Sequence, residues 1–487
     1  MTLKEQVLGA LKWIVATRLL IQVTSWAITL VVMRLLTPAD YGLLAMATVF
    51  TALMMLFAEG GIGIAVIQAR TVSDEMMRQA LTLAALVNTT LFGVLYFAAP
   101  FIADFFGEAR LTTIIRVLAS QFLIMTFTLV PGVVLGREMR VKAAAVVDFI
   151  GGMSGSLITL GLALHGYGVW SLVSGVLAAA VIRSLGMNLV APRLVLPALS
   201  LRGAGSLLRY GGHVMISRVI SFVYSQSDTF IGGKVLGKEP LGVYAVAMQL
   251  ASLPVQKISS MVGSLTILAF ARVQDEPSRR AWYLMSCLRA LFLIAVPVCW
   301  GISAVADEIV PVFLGDKWLE AMLPLKLLAL AMPLRLLGTF VNSASFGSGQ
   351  AGRVTVSVSI LGGVMLPAYL VGVQWGVIGL TIAWVIAFPL ALGLMLAIAL
   401  PPMGVSLRQV VRGLTPVLWC GSGMYATVTG LRMLMQHESA LLRMPLLVAA
   451  GAAVFALLAW GLHRDGILEM RAMLRSKANQ QGTTDQG

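Results

Sequence analysis

The chain has 487 residues, 59% of them hydrophobic and 11% charged, with a mean hydropathy of +0.91. An ordinary soluble domain is about 45 to 50% apolar and roughly 25% charged, so a soluble globular protein is excluded, and no long polar block leaves room for a large extramembrane enzyme. The net charge of +14 comes from basic residues lying mostly in short segments between apolar runs, a pattern that orients a membrane protein and does not call for a nucleic-acid partner.

A hydrocarbon core about 30 Å thick needs about 20 apolar residues in a helix, and backbone groups in lipid must be satisfied within the spanning element. The composition therefore predicts an all-α polytopic membrane protein. In chain order its spans fall near 14–33, 41–66, 80–101, 112–135, 143–164, 167–190, 210–231, 242–270, 282–305, 322–348, 354–372, 377–400, 413–434 and 444–462, about fourteen in all. The opening MTLKEQVLGALKW lacks the apolar run and small-residue cleavage site of a secretory signal, so the first helix is expected to remain as an uncleaved anchor. Cys287, Cys299 and Cys420 lie inside apolar runs without metal-ligand or CxxC spacing and read as small buried residues.

With the N-terminus in the cytoplasm, the inner segments hold 20 basic residues and the outer ones seven, the other eight of the 35 lying within spans. The positive-inside rule then sets both termini in the cytoplasm. Residues 17–70 match 217–270 without a gap at 12 of 54 positions, including Arg18 with Arg218, Ser25 with Ser225, Gly42 with Gly242 and Gly63 with Gly263. Six helices separate the copies, so both enter the membrane from the same side, as in transporters built from two six-helix lobes. The expected organisation is an N-terminal lobe at 1–190, a cytoplasmic linker at 191–209, and a C-terminal lobe at 210–400. An appended helix pair at 401–463 and a disordered cytoplasmic tail at 464–487 follow.

Charges within spans are expensive and normally face a wet cavity or a partner. Eight are basic (Arg18, Arg116, Arg183, Arg218, Lys257, Arg289, Lys326, Arg335) and three acidic (Glu59, Asp148, Asp228), an excess that suggests an anionic cargo. Arg116, Arg183 and Lys326 lie near span ends and are expected to snorkel to headgroups. Asp148 is expected to pair with Lys142 or Arg140, and Arg289 is intermediate. Lys257 and Arg335 sit near mid-span as candidates to line the cavity, while Lys257 follows Pro254, where a local break would admit water to it. Arg18, Gln22, Ser25 and Thr29 share one helix face, as do Arg218, Ser221, Ser225 and Asp228. Two readings stand for these stripes: facing walls of a cavity between lobes, or ion pairs inside each lobe such as Arg18 with Glu59. Arginine suits a diphosphate because its planar fork makes paired hydrogen bonds to phosphate oxygens. Glu59, Asp228 and His213 are candidates for a coupling proton or sodium ion. Prolines 131, 254, 297, 333, 367, 389 and 416 predict bent helices. There is neither a GxxxxGK[ST] phosphate loop nor an HExxH motif, and no cofactor is expected.

The stretch RLLTPADYGLLAMATVF from Arg34 to Phe50, LFAEGGIGIAVIQ at 56–68 and GYGVWSLV at 166–173 resemble the Wzx-type oligosaccharide flippases. These form the polysaccharide transporter family of the multidrug/oligosaccharidyl-lipid/polysaccharide (MOP) superfamily, and the likeness is to the colanic-acid-flippase-like branch. Pro38, Tyr41, Gly42, Gly60, Gly63 and Gln68 carry it, with Glu59 where many members have Asp. The resemblance implies a central cationic cavity, with Arg18 lining it, and alternating access. The implied cargo is an undecaprenyl-diphosphate-linked oligosaccharide, moved from the cytoplasmic to the periplasmic leaflet of a bacterial inner membrane. Membrane lipids, a polysaccharide polymerase and export machinery are the implied partners. A multidrug cation antiporter of the same superfamily is the first alternative, disfavoured by the cationic interior. A polysaccharide polymerase or ligase is the second, disfavoured because the outer loops near 306–321 and 435–443 are too short for a catalytic domain.

Overall fold

The structure, a computed structural model, describes residues 24–58, 62–69, 71–193, 195–198 and 205–462, without the side chains of 64, 68, 205–217, 261, 264, 265, 351 and 462. Among the described residues every regular element is a helix. The first six are α1 (Thr24–Leu35), α2 (Pro38–Ala58), α3 (Ile62–Gln68), α4 (Asp74–Phe106), α5 (Arg110–Thr126) and α6 (Leu129–Arg137). Next come α7 (Val141–Leu164), α8 (Val169–Val190), α9 (Gly205–Leu236), α10 (Lys238–Arg272), α11 (Pro277–Ala304) and the short α12 (Ala306–Ile309). The chain closes with α13 (Met322–Gly347), α14 (Ala351–Gly372), α15 (Gly376–Ala399), α16 (Leu407–Leu434) and α17 (Ala440–Leu462). Eight apolar helical segments, or nine if the bent pair α5–α6 counts as one span, are long and apolar enough to cross a membrane among the described residues. One of them, 352–399, is 48 residues long and folds as the hairpin α14–α15, reversed at Gly376 with φ 69°, a left-handed backbone that suits glycine. Side chains such as Phe101, 76% exposed, and Leu189, 80% exposed, form an apolar exterior that belongs in lipid, making this a multi-pass membrane protein.

The chain divides into two compact units. Unit 1 holds the described residues up to Val219 with Gly237–Gly242, and unit 2 holds Ile220–Leu236 and the described residues from Val243 onward. In unit 1, α2 packs on α4, α5 and α8, and α7 and α8 form a hairpin. Unit 2 has α11, α13 and α15 at its centre, with α14 on α15, α16 on α11 and α17 on α16. The run read as one span at 112–135 is instead broken by 46° between α5 and α6. At the break, Asn188 Nδ2 on α8 donates to the Phe127 carbonyl at 2.8 Å and the Thr128 hydroxyl to the Met125 carbonyl at 2.7 Å. Polar side chains thus take up backbone groups that an interrupted helix leaves unpaired. The segment 306–321, read as an outer loop, packs as α12 followed by a π turn and a 3-10 turn, with Trp318 fully buried.

Candidate functional site

The residues at 34–42 and 166–173 build a joint in unit 1. Thr37 caps α2: its backbone N–H and its hydroxyl both donate to Asp40 Oδ2, at 3.0 and 2.7 Å, and Pro38 takes the first helical position, where no N–H is needed. A Cβ at Gly168 would come within 2.9 Å of Asp40 Oδ1. Gly42 and Gly242, 200 positions apart, pack reciprocally. A side chain on Gly42 would overlap the Lys238 carbonyl, and one on Gly242 the Pro38 carbonyl. Pro38 and Gly42 therefore serve backbone packing.

The polar constellation with functional geometry lies in unit 2, where α9, α10, α13, α14 and α15 converge. Asp228 on α9 is 4% exposed. Its Oδ1 accepts from the Thr229 backbone N–H at 2.7 Å and hydroxyl at 3.3 Å, and its Oδ2 accepts from the Tyr244 hydroxyl of α10 at 2.6 Å. Having spent its proton on Asp228, the Tyr244 oxygen accepts from Trp384 Nε1–H of α15 at 3.0 Å. That bond fixes the indole, and the Arg335 guanidinium of α13 lies over its face, 5.4 Å from the ring centroid. Tyr369 of α14 and Phe388 pack on the same indole, with centroids 6.3 and 5.1 Å away. A buried carboxylate and a half-buried guanidinium are thus connected through two aromatic side chains without touching. The carboxylate is a group that can take a proton or a cation, and a guanidinium on an aromatic face offers a cation held in orientation to an anion. The charge pattern of the spans points to none of Tyr244, Trp384 and Tyr369. For Tyr244 and Trp384 a signal was available, because a Tyr or Trp deep in an apolar run needs a partner for its polar end.

The other predicted residues are dispersed. Arg18, Gln22 and Glu59 lie outside the described residues, and His213 lies on α9 with its side chain outside them. Ser25 is half-buried on α1, and Arg218 is half-buried on α9. Ser225 is exposed and donates to the Phe222 carbonyl at 3.1 Å, whereas Asp228, expected on the same stripe, turns into unit 2. Lys257 is exposed on α10. Arg289 is half-buried at the α11–α16 seam, where a Cβ on Gly413 would lie 3.5 Å from its Nε.

Three expectations need correction. Asp148 pairs with Arg183 at 2.7 Å, so neither Lys142 nor Arg140 is its partner and Arg183 is bound across the α7–α8 hairpin. Lys326 does not snorkel, since Asp307 holds it at 2.6 Å and also pairs with Arg432 of α16. Arg116 turns onto the Tyr96 ring, 4.6 Å from its centroid, and donates to the Tyr96 carbonyl at 3.2 Å. In each case a partner on a neighbouring helix, invisible to span position, takes up the charge.

Residues 31–323 match the family described as polysaccharide biosynthesis protein. The chain belongs to that family. Among its relatives, it is 28% identical to the succinoglycan biosynthesis transport protein ExoT of Rhizobium meliloti over 61% of this chain and 60% of ExoT. It is 25% identical to the teichuronic acid biosynthesis protein TuaB of Bacillus subtilis, over 79% of this chain and 80% of TuaB. It is 22% identical to the lipopolysaccharide biosynthesis protein WzxC of Escherichia coli K12, over 85% of each. Among solved structures, the lipid II flippase MurJ in an inward closed conformation superposes with a TM-score of 0.76 at 12% identity, covering 92% of this chain and all of that one. An inward-facing multidrug resistance MATE family transporter of the MOP superfamily gives 0.62 at 15% identity, over 81% and 94%. This polysaccharide biosynthesis family member thus shares the fold of those two structures.

Proposed function

We propose that this polysaccharide biosynthesis protein is a non-enzymatic flippase that moves an undecaprenyl-diphosphate-linked oligosaccharide from the cytoplasmic to the periplasmic leaflet of a bacterial inner membrane. In this reading the chain crosses the membrane fourteen times with both termini in the cytoplasm. Two six-helix lobes, 1–190 and 210–400, alternate access around a cationic cavity, and 401–463 is appended to the second. The observation that carries the reading is Arg335, a guanidinium held over Trp384 deep in an apolar bundle. In a family whose named relatives act in polysaccharide biosynthesis and transport, a phosphate-bearing cargo gives such a cation its use.

Arg335 and Lys257 of the C-terminal half, with Arg18 and Arg218 of the two repeat copies, bind the diphosphate, while Gln22, Ser25 and Ser225 contact the polar cargo. Arg289, half-buried at its helix seam, is a further candidate for the same diphosphate site. Asp228 is the favoured coupling group, since Tyr244 and Trp384 connect it to Arg335; Glu59 and His213 remain candidates for the same role. The reciprocal packing of Gly42 and Gly242 supports a repeat related by an axis along the membrane normal.

The test is complementation of a flippase-deficient strain, with the lipid-linked precursor assayed for periplasmic exposure. Arg18→Ala, Arg218→Ala and Arg335→Ala are expected to abolish or strongly reduce exposure at unchanged protein level. Full exposure in all three would refute the cargo site, and efflux of cationic dyes would favour an antiporter.

A further inference from the structure

The α7–α8 hairpin of unit 1 carries a groove that the transport reading does not use. Farther along the pair the backbones touch: a Cβ on Gly155 would stand 2.7 Å from both the Gly175 carbonyl and Ala179 Cβ, and one on Gly175 would overlap the Thr159 hydroxyl. Small residues at such a contact let transmembrane helices approach closely. Toward the Arg140 end, the same two helices frame a cavity of about 620 Å³ whose walls include Val146, Val147, Ile150, Leu185 and Leu189. Leu189, Leu185 and Val146 are 80, 60 and 56% exposed, so the groove opens to the apolar exterior of a membrane protein. Apart from Lys142, every lining residue is Gly, Ala, Val, Ile or Leu.

The charges at its rim differ in what they have left to offer. Arg183 is neutralised by Asp148 at 2.7 Å. Arg140 divides its guanidinium between Glu138 and the Val190 carbonyl, each at 3.2 Å. Lys142 is exposed and makes neither a hydrogen bond nor an ion pair among the described residues. An open ammonium over a hydrocarbon-lined groove complements an amphiphile with an anionic head and an apolar tail, whereas a zwitterionic lipid brings a cation of its own that competes with the lysine for the phosphate. We propose that this groove binds one anionic phospholipid, with an acyl chain against α7 and α8 and its phosphate on Lys142 Nζ. The site requires only that the hairpin lie in the bilayer, and it uses no residue of the cargo assignment.

The experiment takes the full-length protein in detergent and counts bound lipid by native mass spectrometry. The probes are phosphatidylglycerol and phosphatidylcholine of identical acyl chains, with glycerol 3-phosphate as the headgroup alone. A lysine near a headgroup supports about a fivefold preference for the anionic lipid. One phosphatidylglycerol is expected to stay bound to the wild type with that preference, which Lys142→Arg keeps and Lys142→Ala removes. Val146→Trp, which fills the groove from its open side, is expected to reduce binding of both lipids, and glycerol 3-phosphate is expected not to compete. Equal retention of the two lipids by the wild type would overturn the proposal, as would a preference that survives Lys142→Ala or a lipid that survives Val146→Trp. Complete displacement by glycerol 3-phosphate would show a bare phosphate site. A dimer abolished by Val146→Trp would show that a second copy fills the groove.

Discussion

Tyr244→Phe removes a single oxygen and, with it, both hydrogen bonds that link Asp228 to Trp384. The 2.6 Å bond to the Asp228 carboxylate belongs to the charge-assisted class, contributing about 1.5 to 3 kcal/mol. The indole N–H of Trp384, 4% exposed, would lose its acceptor, a desolvation cost of about 1 to 3 kcal/mol. Asp228 keeps its two bonds from Thr229, so its share is only partly lost, and the sum expected is about 2 to 4 kcal/mol. The assay is equilibrium unfolding of the purified protein in micelles, run as a double-mutant cycle with Asp228→Ala. A coupling of about 1.5 to 3 kcal/mol between the two positions is expected. In cells, Trp384→Phe keeps the ring beneath Arg335 but not the N–H, so precursor exposure should fall less than with Arg335→Ala. Additive effects in the cycle, or a loss below about 0.5 kcal/mol for Tyr244→Phe, would refute the linkage.

Three further outcomes follow from the packing. Glu308 is wholly buried and pairs with Arg443 of α17 at 2.9 Å, so Arg443→Ala should cost about 3 to 5 kcal/mol, read by thermal unfolding. Glu308→Leu combined with Arg443→Leu should recover most of that loss, because no uncompensated charge then stays buried. Gly42→Val drives a side chain into the Lys238 carbonyl and should lower the amount of folded protein in membranes, by about 1 to 3 kcal/mol or more in stability, whereas Gly152→Ala, at an open position, should leave it unchanged. Asn188→Leu removes the donor to the Phe127 carbonyl at the α5–α6 break and should cost about 1 to 3 kcal/mol, measured by chemical unfolding in micelles.

Much of the local architecture was legible in the residues. The apolar runs at 322–348, 354–372 and 377–400 are α13, α14 and α15 to within three residues, because in lipid an apolar run has no alternative to helix. Gly42 and Gly242, aligned by the offset of 200, are also the two positions at which these backbones approach too closely for a side chain. The kink at Phe127 was not legible, since Pro131 lies four residues away and the carbonyl is stabilised by Asn188, 61 positions along the chain.

The candidate site divides in the same way. Asp228 and Arg335 stood out from sequence because ionisable groups are rare in apolar spans. Tyr244 and Trp384, which connect them, did not: their role depends on the side on which α10 and α15 meet α9 and α13. The partners of Arg183, Lys326 and Arg116 escape the sequence for the same reason, since distance from a span end says nothing about which neighbouring helix offers a carboxylate or a ring. Composition and hydropathy alone determined that this chain is helical and lies in a membrane, because both follow from local hydropathy and spacing. Which charges pair, which are buried and which stay open was decided by tertiary packing, because electrostatic partners are selected by distances of a few ångströms between residues as far apart in the chain as Tyr244 and Trp384.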